Sequence, residues 1–196
     1  MLKTAILAAA AVVTLAPAAA SAQAIPGAVV AVVDLERVSS QCTACKTAAA
    51  TLQGQLNALK TRQQTLATPL EAEGKSIQTA VDALPQGKEP DAALQARIRA
   101  FQAKQQQGAQ ELQQRQVQIQ RNRDYIGQQI SAKLGPIYQQ ILQRRGANVL
   151  VEQGATLASA SALDVTNDVL AGLNAALPSV STTAPAAPAQ QQPQGR

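Results

Sequence analysis

Between residues 46 and 145 the apolar side chains recur at the step of an α-helix that buries one stripe, and that period leaves few folds open. Leu52, Leu56, Leu59, Leu66, Leu70, Ile77, Val81 and Leu84 are spaced 4, 3, 7, 4, 7, 4 and 3 residues apart, a heptad seam broken only by Gln63 and Glu73. The segment Leu84-Pro85-Gln86-Gly87-Lys88-Glu89-Pro90-Asp91 then stops the helix, and Asp91 is placed to cap the next one. A second helix is predicted from Ala92 to Arg145. Its register runs through Leu94, Ile98, Phe101, Gln105, Gly108, Leu112, Arg115, Ile119, Asn122 and Ile126, then Ile130, Leu134, Ile137 and Ile141. The seam is apolar near both ends and polar in between. Arg144-Arg145-Gly146 closes it, with two cations at the negative end of the dipole and glycine just beyond. At 1.5 Å per residue such a helix spans roughly 80 Å. Two arms of this kind, joined near residues 84–91, bury their stripes by folding back antiparallel. Pro69 and Gly135-Pro136 are expected to kink or interrupt them.

The flanks read differently. Val29 to Leu35 (VVAVVDL) is a β-branched run after Pro26-Gly27 and predicts a buried strand, punctuated by Asp34. Asn148 to Glu152 and Thr156 to Ser161 predict two more strands around Gln153-Gly154, and Asp164 leads a helix over Val165 to Leu177 with Leu163, Val169, Leu173 and Leu177 on one side. The returning hairpin brings these pieces together. The expected fold class is therefore α+β and mostly helical: a small β-sheet body from residues 23–45 and 146–177, and a long antiparallel helical hairpin over residues 46–145. Three short strands make a thin core with exposed edges, which assembly through the body would cover. Val30, Val32, Val149 and Val151 are the residues expected in that oligomerisation body. Residues 178–196 are rich in Pro, Ala and Gln without apolar period and read as a disordered tail.

The first 22 residues read as a secretory signal. Lys3 is followed by an apolar run from Ala5 to Leu15, a break at Pro17 and the small-residue pattern Ala20-Ser21-Ala22, which places the cut after Ala22. The run is too short to span a bilayer, so a soluble exported protein is expected. Loss of Lys3 lowers the net charge from +5 to +4.

Composition closes several routes to chemistry. The chain has no His and no Trp, one Phe and two Tyr. Histidine is the commonest general base and metal ligand, and no glycine-rich phosphate loop is present, so no catalytic site, metal or cofactor is expected. Between Ala92 and Arg145 there are nine cations (Arg97, Arg99, Lys104, Arg115, Arg121, Arg123, Lys133, Arg144, Arg145) against Glu111 and Asp124, whereas Lys46 to Leu84 holds four cations and three acids. This stripe is either a solvated face or a means of attracting acidic unfolded chains and anionic headgroups, screened by salt. Nucleic acid fits poorly, with three aromatic residues available for stacking. The polar seam positions Gln105, Gly108, Arg115 and Asn122 mark either an indifferent coiled coil or a pliable arm suited to varied partners. Cys42 and Cys45 lack the βαβ context of a thioredoxin site. They are expected to pair as a disulfide, within the chain or between neighbouring subunits.

The order of these elements, and the text at both ends, resembles the Skp/OmpH family of periplasmic chaperones. The matching residues are AVVDLERV (Ala31 to Val38) and GANVLVEQGATLASASALDVTNDVLAGL (Gly146 to Leu173), above all the VLVE strand and the LDVTNDVL helix start. Between them the resemblance is one of length and heptad style. It implies a homotrimer whose hairpins project as tentacles around a cavity that holds unfolded outer-membrane proteins without ATP. On that reading Arg97, Arg99, Phe101, Lys104, Arg115, Arg121 and Arg123 are the candidates for contacting or steering clients. Lipopolysaccharide or other anionic lipid headgroups are further candidate partners. The cysteine pair and the tail beyond Pro178 depart from the family's pattern. The rival expectation is a structural or adaptor coiled coil of the envelope, with folded partners.

Overall fold

The computed structural model describes residues 27–186. The signal segment and the tail beyond residue 186 lie outside the described residues. Strand β1 (Val30–Val33) is shorter than its apolar run suggests, because Asp34 belongs to the next element. Its carboxylate accepts the Arg37 backbone N–H at 2.7 Å and caps helix α1 (Leu35–Gln41). A single extended residue, Cys42, then separates α1 from helix α2 (Thr43–Asp82). The first N–H of α2, on Thr43, donates to Asn174 Oδ1 at 2.9 Å, so a residue near the far end of the chain helps satisfy this helix start.

Helix α3 (Ala92–Arg145) begins and ends where its sequence signals lie. Asp91 accepts the Leu94 N–H at 2.8 Å. Gly146 takes the left-handed conformation at φ 65°, and Ala147 N–H reaches back to the Leu142 carbonyl at 3.0 Å. Contacts between the arms pair Gln55 with Asn122, Arg62 with Glu111, Leu66 with Gly108, Glu73 with Lys104 and Ser76 with Arg97. One numbering rises as the other falls, which is an antiparallel hairpin. Neither proline interrupts it: α2 runs on through Pro69 and α3 through Pro136. The expected interruptions are absent, although one proline costs a helix on the order of 3 kcal/mol.

After α3 comes strand β2 (Val149–Glu152), which pairs parallel to β1 in the register Val30↔Val149 to Val33↔Glu152. Parallel neighbours need a long crossover, and the whole hairpin is that crossover. Two 3-10 turns (Gln153–Ala155 and Ser161–Leu163) lead to helix α4 (Thr166–Ala176). The third strand expected over Thr156 to Ser161 is not formed, and the sheet has two strands. Alternating small and apolar residues permit a strand, but among the described residues this segment pairs with neither β1 nor β2, and Leu157 stands fully in solvent.

The core lies at the base of the hairpin. Ala31 and Val33 of β1, Val38 of α1, Ile137 and Ile141 of α3, and Val169 and Leu173 of α4 pack together, with Ile141, Val169 and Leu173 fully buried. Each such aliphatic side chain contributes roughly 1.5–3 kcal/mol by leaving water. Thr166, also fully buried, accepts the Asp34 N–H at 2.9 Å and ties α4 to β1. The tail reading needs correction for residues 178–186. They lie against the hairpin with bends at Pro178 and Thr183, Val180 packs on the core, and their backbone is hydrogen-bonded to both arms. Low apolar content rules out a helix stripe, but it does not prevent a chain from being held by its backbone.

Candidate functional site

Charge on the arms is divided between internal pairing and free cations. Glu111 receives Arg62 Nε and Nη2 from the opposite arm at 2.9 and 2.8 Å, and Arg115 Nε from one helical turn away at 2.8 Å. The Arg62 hydrogen bonds, then that of Arg115, hold its carboxyl down at about 2. Lys104 is bound in the same way to Glu73 across the seam, at 3.0 and 2.8 Å. Arg97, Arg99, Arg121 and Arg123 make no ion pair among the described residues. The seven candidates thus do not form one site. Two are neutralised locally, four arginines have no acidic partner among the described residues although Arg97 donates to Ser76 and Arg121 to the Pro185 carbonyl, and Phe101 lies in the seam against Gly74, where an added Cβ would stand 3.1 Å from its ring.

The seam itself is open where its sequence is polar. A cleft of about 370 Å³ lies between the arms around Gly108, walled by Leu66, Pro69, Leu70, Lys104 and Glu111. Another of about 190 Å³ lies beside Asn122, walled by Gln55, Leu59, Arg115, Gln118 and Ile119. Asn122 is nevertheless only 4% exposed. Its Nδ2 donates to Gln55 Oε1 at 2.9 Å, and its Oδ1 accepts from Gln118 Nε2 at 2.8 Å and from the Ala184 backbone at 2.9 Å. Asn122 is therefore a satisfied buried polar group, and part of its satisfaction comes from the tail.

At the body, the parallel register puts Val30, Val32, Val149 and Val151 on one face of the two-stranded sheet, with Ala31, Val33 and Leu150 turned to the core. Val32 is buried, whereas Val149 is 38% exposed and Val29, just ahead of the strand, 51%. Leu157 and Leu163 are exposed nearby in sequence. Cys42 and Cys45 are bonded to each other within the chain, at the break between α1 and α2, and both are buried. Among the described residues no three His, Cys, Asp or Glu side chains gather as a metal site would require, and no helix is long and apolar enough to cross a membrane.

Sequence reasoning missed Gln55 and Gln129, whose side chains hold the tail backbone. The register of α3 passes from Ile126 to Ile130 and bypasses Gln129, so the heptad pattern carried no signal for either.

Comparison with known proteins gives one family and one fold. The family model described as outer membrane protein (OmpH-like) matches residues 29–173. A crystal structure from Caulobacter crescentus, of a protein assigned as an OmpH-like outer membrane chaperone, matches with a TM-score of 0.65 and 22% identity, over 81% of this chain and 89% of that one. At that identity the likeness is one of fold. No curated protein matches.

Proposed function

The chain belongs to the OmpH-like outer membrane protein family, and from that premise we propose that it is an ATP-independent periplasmic holdase for unfolded outer-membrane β-barrel proteins. The observation that carries this reading is the open seam. A hairpin built only to brace two folded partners gains from continuous apolar packing, whereas these arms leave clefts at Gly108 and Asn122 lined by both apolar and polar groups. Unfolded barrel strands expose alternating apolar side chains and unpaired edges, and both promote aggregation. Arms with adaptable, mildly apolar surfaces shield such chains without demanding one shape. Arg97, Arg99, Arg121 and Arg123 raise the rate of encounter with acidic clients or anionic headgroups, including those of lipopolysaccharide.

Three arms around a cavity would make the enclosure. The solvent-facing valines beside a two-stranded sheet, with the outer edge of β2 unpaired, support assembly of the body as a homotrimer. The intrachain disulfide supports an oxidising compartment such as the periplasm. The test is dilution of a urea-denatured β-barrel protein into buffer with and without the chain. Light scattering is expected to fall sharply at a few-fold molar excess of trimer. Undiminished scattering at that ratio would reject the reading.

A further inference from the structure

We propose that the groove formed by Gln55, Arg121, Asn122 and Gln129 is a binding site for a polypeptide main chain, and that the chain's own residues 180–185 are its resident, displaceable occupant. The inference rests on the chaperone reading and adds to it the place where a client strand is held and what it must displace.

The contacts are unusual in what they ignore. Gln129 takes both main-chain groups of Ser181, accepting its N–H through Oε1 at 3.0 Å and donating Nε2 to its carbonyl at 2.9 Å. Gln55, from the other arm, donates to the Thr182 carbonyl at 3.3 Å. Asn122 accepts the Ala184 N–H at 2.9 Å, and the Arg121 guanidinium donates to the Pro185 carbonyl. Every one of these bonds goes to tail backbone. Among the described residues of the tail, Val180 is the side chain packed on the core cluster. Recognition of this kind requires a non-helical segment with free N–H and C=O groups, and one apolar side chain ahead of them. It makes little demand on sequence, as when a strand is added to a sheet edge.

The spacing is matched as well. Ser181 and Ala184 are three residues apart, and their partners Gln129 and Asn122 are seven apart on α3. The tail bends at Thr183, so main-chain groups three residues apart reach two groove amides that lie one helical heptad, roughly 10.5 Å, apart. A chain running toward the hairpin tip therefore meets Gln129 and then Asn122, one heptad further on. This assigns a purpose to Asn122, a polar residue that weakens the interarm seam: it faces a peptide backbone that packs beside it. A strand from an unfolded barrel protein offers the same free N–H and C=O groups. The tethered tail competes with it at high effective concentration.

The tail can be released without altering the groove. Proline at residues 181 and 184 removes the two N–H donors, suits a non-helical chain and leaves Val180 in place. The experiment compares the full chain, its Ser181→Pro/Ala184→Pro variant, and that variant with Gln129→Ala added. Each is titrated by fluorescence anisotropy with two labelled peptides, one copying residues 177–186 and one a ten-residue strand alternating Val and Thr. Both peptides are expected to bind the proline variant about threefold to tenfold more tightly than the unmodified chain, because the competing occupant is gone. Adding Gln129→Ala is expected to remove that gain. Equal affinity of the strand peptide for the unmodified and proline-substituted chains overturns the proposal, as does indifference to Gln129→Ala. The two readings fail separately. Aggregation suppression without any change in peptide binding keeps the holdase and rejects the groove. Peptide exchange without suppression in any form keeps the groove and rejects the holdase.

Discussion

Glu111 shows how one carboxylate can settle the local charge of an otherwise basic arm. It accepts from Arg62 on α2 and from Arg115 on α3, and so links the two arms at the polar stretch where apolar packing is thin. Hydrogen bonds from those guanidiniums stabilise its ionised form and lower its pKa from the ordinary 4.5 to about 2. A depressed carboxyl adds stability that is fully present above its ordinary value and is lost as pH falls through the folded value. The link should therefore persist at pH 4 and disappear only near pH 2. A carbon-13 titration of the side-chain carboxyl is expected to show its midpoint well below those of the exposed glutamates. A midpoint near 4.5 would mean that the two arginines do not hold it in solution. The group is exposed to water, so the link is sensitive to salt and modest in strength. Sequence could count Glu111 as one of two acids among nine cations, but not say which arginines it would occupy. Arg62 lies on the other helix, and its distance from Glu111 depends on the interarm register.

At the scale of the element, the hairpin is stitched unevenly. Its base is anchored in the core by Ile137 and Ile141, and Ile77 and Leu94 are buried toward its tip. The stretch between relies on Gly108, Asn122 and Ile126 with half-buried leucines. Gly108 is the residue that opens the larger cleft. An added Cβ there would lie 3.7 Å from Leu66 Cδ1, an ordinary contact, and alanine is about 1 kcal/mol better than glycine inside a helix. Gly108→Ala is therefore expected to stabilise the hairpin by about 1 kcal/mol in urea denaturation. The same substitution narrows the cleft, so suppression of client aggregation is expected to weaken while stability rises. A stabilised variant with full activity would show that the cleft is not used. The polar seam was legible as a departure from the heptad pattern. Its meaning was not, because periodicity cannot distinguish a slack coiled coil from amides satisfied by a third segment. Asn122 is buried through Gln55, Gln118 and the tail together.

For the whole molecule, the question is what covers the body. The single chain leaves Val29, Val149, Leu157 and Leu163 exposed, and one edge of β2 unpaired. Sedimentation equilibrium is expected to give three times the chain mass, and Leu157→Asp is expected to shift it toward the monomer while helicity is retained. A monomeric mass for the unaltered chain would remove the cavity and the enclosure built on it. The expected third strand belongs to this scale. Residues 156–161 carry strand-compatible text, but among the described residues they pair with neither strand, and they form an open connection ending in a 3-10 turn. By itself, the sequence determined the features that each segment settles with its near neighbours. These are the stripe period of both arms, the cap at Asp91, the left-handed stop at Gly146 and a cysteine pair close enough to bond. Tertiary structure alone decided which strand lies parallel to β1, that Asn174 serves the start of α2, that two prolines pass without a break, and that the tail runs along the arms. The physical reason is common to all four. A local pattern states that a stripe must leave water or that a backbone group needs a partner, whereas the identity of the partner depends on contacts brought together only when the hairpin closes.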